Sequence, residues 1–325
     1  MDLIKVAQNT LRIEAEALIT ASSRLDNTFL DAIDIILQTK GKLIITGVGK
    51  SGLVGAKMAA TFASTGSSSF FLHPTEALHG DLGMIGKEDT LLAISSSGES
   101  EELTKILPHI ERFNIPLIAL TGKAHSALAK SAQVVLDISV EKEACPLNIA
   151  PTTSTTLTMA LGDALAVALM KKRGFQEEDF ASFHPGGTLG KKFFVKVKDL
   201  MRTENLPIVD DKISIQEAVL VMSEGKLGTV LIVDKNQKFL ALLSDGDLRR
   251  ALMNKNFKME HLALKYATIN PKHCNNSEIL ASDALEMIEK NKIQLFPILN
   301  EDKKVLGVLH IHDLLNAGIQ PKEHK

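Results

Sequence analysis

The chain has 325 residues, 45% of them hydrophobic and 23% charged, with a net charge of -2. That length suits two or three domains, each burying its own core. The even charge balance excludes nucleic acid or an anionic membrane as the main partner. Two cysteines, Cys145 and Cys274, are too few for a disulfide framework or a thiolate metal site, and the ten histidines show no HxxxH or HExxH spacing. Charges at Asp2, Lys5, Arg12, Glu14 and Glu16 interrupt the first residues, so a cytoplasmic protein without a secretory signal is expected.

Apolar positions at helical spacing predict two helices in the first forty residues, broken near Ser22 and Ser23. From residue 42 onward, β-rich runs at 42–46, 68–72, 90–94, 116–121 and 134–138 alternate with helical patterns near 53–64, 100–113 and 125–131. That alternation predicts βαβ units and a five-stranded, parallel, doubly wound sheet. The apolar stretch 155–170 contains Gly162 and Asp163 and is short for a bilayer span. It reads as part of a buried helix, 154–172, packed on the sheet.

After residue 192 the texture changes and an internal repeat appears. Residues 213–248 align without a gap on 279–314, so that Ala218 matches Ala284 and Asp247 matches Asp313. A long period repeated twice predicts a duplicated small domain, each copy reading helix, strand, strand, helix.

"TGVGKSG", residues 46–52, leaves the first strand as a glycine-rich loop. It lacks the first glycine of a nucleoside-triphosphate loop, since position 44 is Ile. It matches GxGxxG, but His73 stands where a dinucleotide fold needs an acid after the second strand. The third strand leads into Ser95, Ser96, Ser97 and Ser100 around Gly98, just before a helix. Hydroxyls and backbone N–H groups at a helix start bind a phosphate dianion, and strand-end loops converge on one crevice. Ser51 and this serine cluster are therefore expected to face one phosphate.

"TGVGKSG", "ISSSGES", "HPTEALHGDLGM", "EACPLNIAPTTSTT" and "SFHPGGTLGKK" together resemble the sugar isomerase (SIS) domain of the D-arabinose 5-phosphate isomerases, and the duplicated tail resembles a tandem CBS pair. The resemblance implies a flavodoxin-like SIS domain over 1–192 and CBS domains over 193–260 and 261–325. It implies interconversion of D-ribulose 5-phosphate and D-arabinose 5-phosphate through an enediol, the first step towards Kdo for lipopolysaccharide. Lys50, Glu102, His79 and His184 match the family's catalytic positions, and Glu143 matches one linked to activity. Ser51, Gly66, Ser67, His73, His79, Ser95, Ser96, Ser97 and Ser100 are the expected substrate contacts. His73 could also touch a non-essential zinc ion; no cofactor is expected. A neighbouring subunit could supply His184, as in related SIS enzymes.

Ser244 and Asp247 in the first CBS copy keep a hydroxyl three residues before an acid, whereas the second copy has His310 before Asp313. The pair is expected to fasten subunits into a homotetramer and to offer a site for a regulatory nucleotide or sugar nucleotide. The alternative reading is a non-catalytic phosphosugar sensor, which would need the serine loops but not the Lys, Glu and His residues.

Overall fold

The alternation of apolar runs and helical patterns closes into a single parallel sheet in the first of two units, residues 1–180; the second runs from 181 onward. The structure is a computed structural model that describes residues 1–320. Strands β1 (Leu43–Gly47), β2 (Ser69–Leu72), β3 (Thr90–Ile94), β4 (Leu117–Thr121) and β5 (Val134–Asp137) pair in the order β2-β1-β3-β4-β5, all parallel. β1, β3 and β4 are buried along their whole length, as unbroken apolar runs covered on both faces must be.

Helices α1 (Leu3–Ser23), α2 (Asn27–Gln38), α3 (Gly49–Ser64), α4 (Pro74–Leu78), α5 (Glu101–Arg112), α6 (Ala127–Ser131) and α7 (Thr153–Arg173) flank the sheet. On one face Ile33 and Ile36 of α2, Met58 and Phe62 of α3, and Leu157, Leu161 and Leu165 of α7 meet Leu43, Ile45 and Leu92. On the other face Ala77 of α4, Leu103, Ile106 and Ile110 of α5, and Leu128 of α6 cover Ile44, Leu91 and Ala93. Each fully buried Leu or Ile contributes roughly 1.5–3 kcal/mol. By length and composition α7 could cross a membrane. Its leucines instead fill the core of the first unit, as the sequence predicts.

A short helix α8 (Glu177–Phe183) spans the division between the units. In the second unit, α9 (Thr188–Phe194) and α10 (Val197–Leu200) lead into β6 (Ile208–Asp210). The first copy of the repeat is α11 (Ile215–Gly225), β7 (Thr229–Val233), β8 (Phe239–Ser244) and α12 (Asp245–Leu252); a short β9 (Thr268–Ile269) follows. The second copy is α13 (Ala281–Asn291), β10 (Leu295–Leu299), β11 (Val305–His310) and α14 (Ile311–Asn316). Every element of the second copy begins 66 residues after its counterpart, for example Ile215 and Ala281.

The two compact units divide after residue 180. Residues 184–192 lie with the second unit, because the Lys192 carbonyl accepts from Ser282 Oγ (2.9 Å) and the Val195 carbonyl from Ala281 N (2.8 Å), both at the start of α13. Between the CBS copies, β9 adds antiparallel to β8 and joins the first copy's sheet. Both segments are drawn across by hydrogen bonds to distant residues, which local texture does not register.

Candidate functional site

In the first unit the chain winds outward in opposite directions from β1 and β3, so these neighbours form the switch point of the sheet. A parallel sheet opens a crevice there at the carboxyl ends of the strands. Gly47 pairs in register with Ile94, so the two loops that follow leave the sheet side by side.

The loop after β1 is short. Only Val48 separates the strand from α3, and Gly49 adopts φ +59°, a left-handed conformation costly for any residue with a Cβ. Lys50 is exposed and Ser51 half-buried in the first turn of α3. After β3, Gly98 also takes a left-handed φ of +67°, and a Cβ there would approach Ser126 Oγ to 2.0 Å. Ser95 is buried; its Oγ accepts from Gly98 N (3.0 Å) and lies 2.9 Å from Ser100 Oγ. Ser97 Oγ accepts from Glu99 N (3.2 Å).

The expected serine cluster therefore divides. Buried Ser95 and half-buried Ser100 brace the loop through their mutual contact. Ser96 instead lines a cavity of about 380 Å³ together with Lys50, Ser51, Glu143, Asn148 and Ser154. Glu99, which reads as a solvated charge, accepts from Ala127 N (2.8 Å) at the start of α6, while Glu101 pairs with Lys105 at 2.6 Å.

The cavity opens on the α3–α7 side of the sheet. Glu102 lies in the first turn of α5 and His79 ends α4, and these two helices cover the opposite face. His73 caps α4, its Nδ1 accepting from Thr75 N (3.2 Å), which leaves Nε2 as its one further nitrogen. No three His, Cys, Asp or Glu side chains cluster as a metal site among the described residues.

Within one chain Gly66 and Ser67 lie away from this crevice. They precede β2 and so lie at the amino edge of the sheet, where Ser67 Oγ accepts from Arg173 (2.6 Å) and the Gly66 carbonyl also accepts from Arg173 (3.1 Å). Burial lowers the pKa of that guanidinium. His184 belongs to the second unit, where its carbonyl accepts from Gly187 N (3.1 Å). It is not among the residues that the first unit itself gathers.

Glu143 is the most constrained carboxylate of the cavity. Its Oε2 accepts from Thr152 N (2.8 Å), Thr152 Oγ1 (3.1 Å) and Ser154 N (3.2 Å), all at the start of α7. Burial works to raise its pKa, but the hydrogen bonds from Ser154 and Thr152 outweigh it and hold the carboxyl below its ordinary value. Asn148, Thr152 and Ser154 escape a reading of the sequence residue by residue. Thr152 and Ser154 carry one signal, the hydroxyl-rich "PTTSTT" after the fifth strand.

The second unit holds a cleft of about 680 Å³ lined by Ser244, Asp247, Arg250, Thr268, Lys272 and Lys292. Ser244 and Asp247 cap α12 reciprocally, and buried Asp247 also accepts from Arg250 and Thr268. In the second copy His310 caps α14 through Nδ1, and Asp313 Oδ2 is buried without a hydrogen-bond partner among the described residues.

Comparisons with known proteins agree with both halves. The SIS domain model matches residues 36–168, and the CBS domain model matches 197–254 and 268–319. The chain is 46% identical over 321 residues to "Arabinose 5-phosphate isomerase KdsD" of Pseudomonas aeruginosa, covering 98% of each chain. It is 45% identical over 321 residues to the protein of that name from Francisella tularensis, again covering 98% of each. Among solved structures, an Escherichia coli CFT073 protein in complex with arabinose 5-phosphate superposes with a TM-score of 0.55 at 41% identity, covering 57% of this chain and 98% of that one. An SIS domain, a duplicated CBS tail and full-length similarity of this degree together place the chain in the arabinose 5-phosphate isomerase family.

Proposed function

We propose that this chain interconverts D-arabinose 5-phosphate and D-ribulose 5-phosphate through a 1,2-enediol, supplying the aldose for Kdo and lipopolysaccharide. The observation that carries the reading is the meeting of Lys50, Ser51 and Ser96 in one cavity at the switch point, in a chain so similar to these isomerases from end to end. Ser51, Ser96 and the backbone N–H groups that begin α3 and α5 hold the phosphate dianion.

Starting from the aldose, a base removes the proton on C2, and the electron pair forms the C1–C2 double bond while negative charge moves onto O1. Glu102 is assigned as that base. Lys50 stabilises the developing oxyanion. A proton passes from O2 to O1, and His79 and His184 are assigned as its carriers. Return of the first proton to C1 completes the ketose, so atoms and charge balance without a cofactor.

The assembly assigned is a cytoplasmic homotetramer. In support, α1 buries none of its residues and exposes Leu3, Ile4, Leu11 and Ile19, more apolar surface than a lone subunit normally leaves in water. The CBS pair is assigned a phosphorylated regulatory ligand, a nucleotide or sugar nucleotide, because Arg250, Lys272 and Lys292 line one cleft beside Asp247. Turnover of ribulose 5-phosphate in deuterium oxide tests the chemistry. Deuterium at C2 of the arabinose 5-phosphate formed is expected, whereas product free of label would point to a hydride shift.

A further inference from the structure

Glu143 faces the cavity, yet its bonding is that of a fastener. Besides the three donors on Oε2, its own N–H donates to Asn148 Oδ1 at 2.7 Å, and the neighbouring Ala144 N is shared between Thr152 Oγ1 and Thr153 Oγ1, each at 3.0 Å. Asn148 stands at φ +52°, a left-handed conformation that Asn tolerates better than most residues. The start of the same loop is tied by Arg24, which donates to Ser139 Oγ (3.0 Å) and to the Ser139 carbonyl (2.9 Å).

We propose that Glu143 is a positioning residue: its carboxylate clasps the loop 139–152 onto the amino terminus of α7 and so fixes the cavity wall that faces Lys50 and Ser51, without carrying the substrate's proton. The inference rests on the isomerase reading and refines it. Thr152 has no side-chain cap bond of its own at the head of α7, so Glu143 supplies the capping acceptor from nine residues upstream. The loop so held brings Asn148, Ile149 and Pro151 to the cavity.

A proton carrier needs basicity matched to its working pH. Three donors on one oxygen lower the basicity of the whole carboxylate, because its two oxygens share one charge. Removing the side chain would strand the Thr152 and Ser154 N–H groups and release the wall.

Glu143→Gln separates the two roles, since an amide keeps an acceptor oxygen for these N–H groups but cannot take up or deliver the proton. Asn148→Gly is a second probe, keeping the left-handed backbone while removing the acceptor for Glu143 N. Kinetics with arabinose 5-phosphate across pH would be measured for Glu143→Ala, Glu143→Gln and Asn148→Gly beside the wild type. Limited proteolysis of the loop would be followed in the same samples.

Glu143→Ala is expected to raise KM on the order of 10- to 100-fold with a smaller change in kcat. Glu143→Gln should recover most of that loss and keep both limbs of the kcat–pH profile, and Asn148→Gly should shift KM in the same direction. Cleavage in the loop should rise about tenfold in Glu143→Ala and fall back in Glu143→Gln. A Glu143→Gln protein as inactive as Glu143→Ala, with the loss in kcat and with wild-type resistance to protease, would overturn the proposal. A wild-type protein without turnover would refute the isomerase reading alone, because the proteolysis pattern still decides for or against the clasp.

Discussion

Glu102 and Glu143 belong to opposite layers of the first unit, and the chain treats them differently. Glu143 sits on the α7 side with three donors at the head of that helix directed at one oxygen. Glu102 sits half-buried in the first turn of α5, on the other side of the sheet, and its carboxylate makes no hydrogen bond among the described residues. A carboxylate spent on backbone donors builds a wall, and one left unspent can change protonation during a reaction. Proximity to a cavity alone would have ranked the pair the other way.

The same division separates Lys50 from its surroundings. It is exposed at the cavity and forms no ion pair among the described residues, so its charge is available to substrate. Lys50→Ala should lower kcat/KM by about 10²–10³-fold with the melting temperature unchanged, as expected for loss of one oxyanion-stabilising group. Steady-state kinetics beside a thermal melt would check this. Activity within a few-fold of wild type would move the charge-stabilising role elsewhere.

Gly98 tests the rigid half of the comparison. Because a Cβ there meets Ser126 Oγ at 2.0 Å and φ is left-handed, Gly98→Ala should destabilise the first unit by about 1–3 kcal/mol. It should also weaken substrate binding, since Ser95 to Ser100 are braced around that position. Denaturant unfolding would measure the first effect and calorimetric binding of arabinose 5-phosphate the second.

The smallest expected effect is on pH. Glu143 has a lowered pKa in the folded protein, so its contribution is fully present above the ordinary carboxylate value and is lost as pH falls through the depressed one. Acid should therefore loosen the loop 139–152 only below the usual carboxylate range. Hydrogen exchange of the Thr152 and Ser154 amides would report it, and loosening near neutral pH would contradict the clasp.

Much of this was legible from the residues. The five strands fall within a residue or so of the apolar runs, and α7 extends the expected helix by one residue at each end, because those patterns reflect local burial. The repeat predicted helix, strand, strand and helix in each copy, though not α9, α10, β6 and β9 around them. What escaped depended on which end of a strand a loop occupies, or on bonds between distant residues. Gly66 and Ser67 neighbour the same strand as His73, but at its amino edge, a fact of topology that spacing does not carry. Ser95 reads as a loop hydroxyl, yet its burial at the end of β3 turns it inward. Glu143 shows no local sign of its clasp, because its partners lie nine and eleven residues away.

The most direct test sets Glu102→Gln beside Glu143→Gln in one assay of arabinose 5-phosphate turnover, with folding verified for both. Loss of the proton carrier should lower kcat by about 10³-fold in Glu102→Gln, while Glu143→Gln stays within about tenfold of wild type. The reverse order, or equal losses in kcat, would contradict the division of labour drawn here.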